Sequence, residues 1–234
     1  MSMGAALRMN RLLVVVEGQT ELTFVREVLA PYLDRFNLLT SARLIGKPGY
    51  KGGIPPFPKF LREVVAILRQ DSTLICTMMF DFYGMPFNWP QRESAGAALQ
   101  DQKPIIIENG IAEKISQELG PSFNRNRFIP YVQIHEFEAL LFSDPQILAT
   151  AMLKPDSIQL LNKINEQFEH PELINDNVNT APSKRLLGIN PAYQKIIHGN
   201  LAAKRMGLQT MREKCPHFNS WVAKLEQVGD GKRS

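Results

Sequence analysis

Cysteine is scarce in this 234-residue chain, which carries only Cys76 and Cys215. Two thiols so far apart exclude a disulfide framework and a cysteine-rich metal site. Cys76 lies in an apolar run and reads as a small buried hydrophobe. Long apolar runs are missing too: none reaches the roughly 18 residues that cross a bilayer, so no membrane association is expected. The opening MSMGAALRMN has no long apolar stretch and does not read as a signal peptide, and Met9 could serve as an internal start. The cytoplasm is the expected compartment. The GxxxxGK[ST] pattern is absent, so the Gly-rich segment 46–58, with Tyr50 and Lys51, reads as a loop that could touch substrate and not as a nucleotide-binding P-loop. No internal repeat or low-complexity block interrupts the chain.

What is present is an ordinary globular composition, 44% hydrophobic and 21% charged, with a net charge of +4 that is unevenly spread. Residues 1–182 carry 17 Lys and Arg against 20 Asp and Glu, whereas residues 183–234 carry 10 against 3. A basic C-terminal part fits a polyanionic partner such as nucleic acid, or else a solvated basic helix face. Three apolar runs read as strands: Leu12 to Val16, Leu74 to Phe80 and, more weakly, Phe128 to Ile134, with Arg43 to Ile45 as a shorter fourth. Continuous apolar runs suit strands covered on both faces, as in a parallel sheet. Helical periodicity follows the first run through Phe24, Val25, Val28, Leu29 and Leu33, and returns over 58–68 and 104–119. The alternation predicts an α/β layered, mostly parallel, Rossmann-type sheet over residues 9–150, with a mostly helical part over 151–228 packed on it.

Ligands in such sheets collect outside the carboxyl ends of the strands. Glu17 stands there, directly after the first apolar run, where a carboxylate is costly unless paired or metal-bound. Gly18 is expected to turn the backbone at positive φ, and Thr20 to cap the next helix. Glu21 has a ready explanation in the dipole of the first helical turn. Asp81 ends the second run in MMFDFYG. In IHEFEALLFSD, Glu136 and Glu138 share a face only if the chain is extended, and His135 and Glu138 only if it is helical, with Glu138 slightly favoured as a ligand. Oxygen ligands of this kind suit Mg²⁺ or Mn²⁺. Phosphate-side candidates are Gly18, Thr20, His135, Ser183, Lys184, Arg185, Lys204 and Arg205, with His198 weaker.

These pieces, in this order, resemble the Toprim superfamily, and more closely a family of bacterial Toprim-like proteins. The motifs are VVVEGQTE, FDFYG, IHEFEALLFSD, APSKRL and HGNLAAKRMGLQTMREKCPHFNSWVAKLE, spread from about Leu12 to Glu226. The resemblance implies a Toprim-like fold in which Glu17 is the general acid/base of phosphoryl transfer, with Asp81 and downstream acidic residues holding Mg²⁺. It groups the chain with topoisomerases, primases and nucleases of the overcoming-lysogenization-defect type, and with anti-phage systems that include a partner ATPase of ABC or AAA type. Tyr83 stands where the superfamily has its second Asp, so a two-metal site would need Glu136 or Glu138 to supply the missing carboxylate. The lack of that Asp in DFYG also argues against a haloacid-dehalogenase phosphatase. Two readings follow: a metal-dependent phosphodiesterase acting on nucleic acid, or a catalytically degenerate subunit that docks an ATPase or nucleic acid.

Overall fold

The computed structural model describes residues 9–45, 53–175 and 180–230; Tyr50 and Lys51 lie outside them. The chain opens with β1 (Asn10–Val16) and α1 (Gln19–Phe24). A π-helical segment, Val25–Leu29, carries α1 without a break into α2 (Ala30–Leu33). Then come β2 (Leu38–Leu44), α3 (Phe57–Gln70) and β3 (Ile75–Asp81). After β3 comes a short helix, α4 (Arg92–Gly96), which leads to α5 (Gln102–Leu119).

The third apolar run forms two short strands, β4 (Phe128–Ile129) and β5 (Val132–Gln133). Pro130 separates them, because it has no N–H to give to a ladder. The remainder is helical: α6 (Glu138–Leu141), α7 (Pro145–Ala151), α8 (Ile158–Asn165), α9 (Pro182–Ile189), a π-helical turn over Lys195–Gly199, α10 (Asn200–Lys214) and α11 (Pro216–Gly229). No described helix is long and apolar enough to cross a membrane.

Every described strand pairing is parallel. The order is β2-β1-β3-β4, with β5 continuing the pairing on β3. All seven residues of β3 are buried, as expected for a central strand covered on both faces. Alternation along β1 sends Leu12, Val14 and Val16 into one apolar cluster and Val15 into another. The first cluster packs Phe24, Leu29 and Phe142 together with Phe218, Trp221 and Val222 of α11. Trp221 also donates its indole N–H to Thr77 Oγ1 in the middle of β3, at 2.9 Å. The C-terminal helices thus share a core with the sheet.

The second cluster sits on the opposite face. There α3 presents Phe57, Phe60, Val64, Val65 and Leu68 at helical spacing to Phe80 and Trp89, and α5 contributes Ile107, Ile111 and Ile115. The edge strand β2 starts five residues before its sequence signal at 43–45 and ends one residue sooner, and its exposed positions, Leu39, Ser41 and Arg43, alternate with buried or half-buried ones, as in a strand with one face toward solvent. The register decides where the site forms. Val16 pairs with Met79, so the chain leaving β1 at Glu17 and the end of β3 at Asp81 emerge side by side on one sheet edge.

Candidate metal centre

Glu17, Glu21 and Asp81 each bring a carboxylate oxygen within 4.8 Å of the others. Glu17 follows β1 directly, and its Oε2 accepts the Asp81 backbone N–H at 3.3 Å. Glu21 projects from the first turn of α1, four residues on, and is buried. Glu138 opens α6 and is fully buried. Lys195 ties the group together: its Nζ lies 3.5 Å from Glu21 Oε1, 3.4 Å from Asp81 Oδ2 and 3.1 Å from Glu138 Oε2. The last is a charge contact without hydrogen-bond alignment, since neither Glu138 oxygen has a hydrogen-bond partner.

Glycines frame the site. A Cβ on Gly18 would stand 2.9 Å from Glu21 Oε2, and one on Gly84 3.3 Å from Glu17 Oε2. Gly18 is therefore not a positive-φ turn; its backbone is extended, at φ −144°, and its missing side chain makes room for Glu21. Thr20 does not cap the helix either. Gly18 takes the N-cap position, which leaves Thr20 buried within the first turn.

The electrostatics follow from gathering three buried carboxylates and the half-buried Glu17 around one ammonium. Burial and the Glu21 charge push the Glu17 carboxyl up to about 8, against the pull of Lys195. Asp81 is raised well above its ordinary range, chiefly by burial, and Glu138 is raised for the same reason. Lys195 is held charged: the carboxylates raise its pKa in spite of its burial. Taking a carboxylate out of water costs several kcal/mol unless opposite charge answers it, and one lysine cannot answer four. Glu21 Oε1, Asp81 Oδ1 and both Glu138 oxygens have no hydrogen-bond partner although buried. Hard, anionic, orphaned oxygens are the donor set that Mg²⁺ or Mn²⁺ takes, so the residues fit such an ion.

Other residues singled out from sequence go elsewhere. Both Glu136 oxygens are held by Ser183, at 2.9 Å from its N–H and 3.0 Å from its hydroxyl, which ties Glu136 to the start of α9. Of the two glutamates in IHEFEALLFSD, the cluster with Lys195 receives Glu138. His135 sits at φ +64° with its ring stacked on Tyr83, 5.1 Å between centroids. Its nitrogens lie 3.4 Å from Gln100 Oε1 and Asn175 Nδ2. Burial, with help from Lys103, lowers its pKa to about 4, so it is neutral at ordinary pH.

Lys184 and Arg205 are exposed. Arg185 donates from Nε to the Thr180 carbonyl, and Lys204 lies 3.4 Å from Glu27. His198 accepts the Gln194 N–H at its Nδ1. Sequence reasoning missed two members of the cluster. Glu21 carries a signal, the one-turn spacing from Glu17 in EGQTE, but its helix-dipole role explained it away. Lys195 carries none, since nothing in YQKIIHG marks it before the chain folds back from α9.

No curated protein matches the chain. Among solved structures, the C-terminal region of the Burkholderia pseudomallei OLD protein is similar at 10% identity and a TM-score of 0.48, covering 94% of this chain and 98% of that one. The C-terminal region of the Xanthomonas campestris pv. campestris OLD protein is similar at 13% identity and a TM-score of 0.42, covering 93% and 95%. The family described as "Domain of unknown function (DUF4276)" matches residues 16–226, from the last residue of β1 into α11, and the chain belongs to that family.

Proposed function

We propose that the protein is a metal-dependent phosphodiesterase acting on nucleic acid. The carrying observation is the convergence of Glu17, Glu21, Asp81 and Glu138 around Lys195 at the carboxyl edge of a parallel sheet, with buried oxygens left unanswered. Glu21, Asp81 and Glu138 would hold Mg²⁺ or Mn²⁺, which supplies positive charge against a phosphodiester in its transition state. Glu21 and Glu138 stand in for the carboxylate missing at Tyr83. Glu17, pushed up to about 8, is poised to exchange a proton near neutral pH and takes one from the attacking water. Lys195 keeps its charge among these carboxylates and is our candidate to meet the phosphate. The Toprim resemblance of the motifs supports this reading and adds an ATPase of ABC or AAA type as a partner in phage defence.

One observation favours a second reading, a non-cleaving subunit. Lys195 already bridges three of the carboxylates, which partly compensates the cluster by itself. Cleavage of single-stranded and duplex DNA and RNA, with Mg²⁺, with Mn²⁺ and with excess chelator, separates the two. The proposal expects cleavage only with metal, and its loss in Glu17→Gln with the fold intact, read as an unaltered circular-dichroism spectrum. Full activity of that variant, or activity in chelator, refutes the mechanism; nucleic-acid binding without cleavage under any metal selects the second reading.

A further inference from the structure

The loop that leaves the site at the end of β3 carries an aromatic surface that the phosphodiester chemistry does not use. Phe87 is 82% exposed, the most exposed large hydrophobic side chain among the described residues. Burying such a ring against a partner would gain roughly 2 kcal/mol, so leaving it in water calls for a reason. The ring is not isolated. The Arg92 guanidinium lies 3.9 Å from the centre of the Phe82 ring and 5.4 Å from that of Phe87, bridging the two. The Arg92 Nε–H is directed at the Met85 carbonyl, at 3.3 Å, which helps hold the side chain in that position. Lys103 brings a second cation to the Phe82 ring, at 5.8 Å. Tyr83, 38% exposed, continues the series and stacks on His135. A cleft of about 530 Å³ opens beside Phe87, lined by Asn88, Trp89, Arg92 and Ser94 among others.

The position of this surface is constrained by the chain itself. A Cβ on Gly84 would stand 3.3 Å from Glu17 Oε2, so Gly84 touches the carboxylate cluster. Phe87 is three residues further, and three residues span at most about 11 Å. The exposed ring is therefore within the reach of a nucleotide adjoining a phosphate met by Lys195 beside Glu17. Aromatic faces edged by Arg and Lys are what unpaired bases stack on, because every base has a π-face and the cations attract both ring and phosphate. A paired base has no such face to offer, since its neighbours in the duplex cover it.

We infer that Phe87, braced by Arg92 and continued by Tyr83, is a stacking platform for an unpaired nucleotide next to the scissile phosphate, so that the preferred substrate is single-stranded nucleic acid or a single-stranded stretch beside a duplex. This rests on the phosphodiesterase reading and names its substrate class. The polar surroundings, Asn88, Gln91, Ser94 and the cations Arg92 and Lys103 against the single acid Glu93, match a nucleotide better than the apolar face of a second protein.

The test is a binding titration of single-stranded DNA oligonucleotides, intact or with one abasic linker stepped along the strand, in the Glu17→Gln background so that the strand stays whole. It is paired with cleavage assays of the otherwise unaltered chain. At one linker position the missing base should weaken binding about ten-fold, the usual scale for one stacked base. Phe87→Ala should lose the same factor on the intact strand and lose nothing further from the linker. Phe87→Trp should bind like the parent, and duplex binding should be unaffected in all three. Phe87 is exposed, so the alanine variant folds.

Equal single-strand binding by parent and Phe87→Ala, or losses from Phe87→Ala and the linker that simply add, overturns the platform while leaving the phosphodiesterase reading intact. A change in oligomeric state with unaltered strand binding overturns it in favour of a protein contact. If the unaltered chain neither binds nor cuts any nucleic acid with Mg²⁺ or Mn²⁺, the functional reading fails and this inference fails with it.

Discussion

Glu17 and Lys195 define the problem that the site solves at the level of single residues. A carboxyl raised from its ordinary 4.5 to about 8 is protonated in the folded chain over a range where the unfolded chain has lost that proton. The folded state then binds more protons than the unfolded one, so stability contributed by Glu17 is fully present below about pH 4.5 and is lost as pH rises to about 8. Asp81 and Glu138, shifted the same way by burial, add to that slope. A divalent ion takes only the deprotonated oxygens and answers their charge, so it should oppose the loss. Saturating Mg²⁺ should therefore raise the thermal midpoint more at about pH 8.5 than at about pH 5.5, as read by calorimetry at both values. An equal shift at the two values would contradict metal binding by these carboxylates.

The junction from β1 to α1 shows how an element delivers its side chains. The strand run stops at Glu17, the N-cap is Gly18 in an extended conformation, and one helical turn brings Glu21 back beside Glu17. An alanine can adopt the Gly18 backbone, but its Cβ would meet Glu21 Oε2 at 2.9 Å, the mobile end of a side chain. Gly18→Ala should thus cost little stability and instead push the Glu21 carboxylate out of place. Manganese affinity measured by titration calorimetry should fall roughly ten-fold, the scale for disturbing a ligand's support, while the melt moves little. Unchanged affinity would remove Glu21 from the proposed ligand set. The element that follows Glu138 works differently: α6 is only one turn long, and its neighbour Glu136 is spent on the start of α9 through Ser183.

Over the whole molecule the charge is divided as the sequence suggests, but the basic residues of the C-terminal part do not all face outward. Lys195 is drawn into the carboxylate cluster, and Arg212 pairs with Glu226. Of the two adjacent basic pairs, Lys184, Lys204 and Arg205 are exposed, Lys204 lying near Glu27, whereas Arg185 is held by the Thr180 carbonyl. Replacing Lys184, Arg185, Lys204 and Arg205 by Ala should weaken nucleic-acid binding for any sequence about equally, because phosphate contacts carry no sequence information. The slope of log affinity against log salt should shrink by roughly two, with Lys184 and Arg205 as the main contributors. Titrations at several salt concentrations give that slope, and identical slopes for parent and variant would make this basic surface a solvated one.

The amino-acid sequence by itself determined the sheet and one wall of the site. Continuous apolar runs at 12–16 and 74–80 suit strands covered on both faces, and a carboxylate directly after each run, Glu17 and Asp81, then emerges at the carboxyl edge. Local chemistry misled at Gly18 and Thr20, where the need was for empty space beside Glu21 and not for a turn or a cap. Only the tertiary structure separates the surroundings of Glu136 and Glu138, because Ser183, distant in sequence, captures the first carboxylate while the second lies against Lys195. Lys195 itself was beyond any local pattern. A lysine becomes part of a buried acidic cluster through contacts made across more than a hundred residues, here 114 to Asp81, and periodicity or spacing within a few turns carries no record of them.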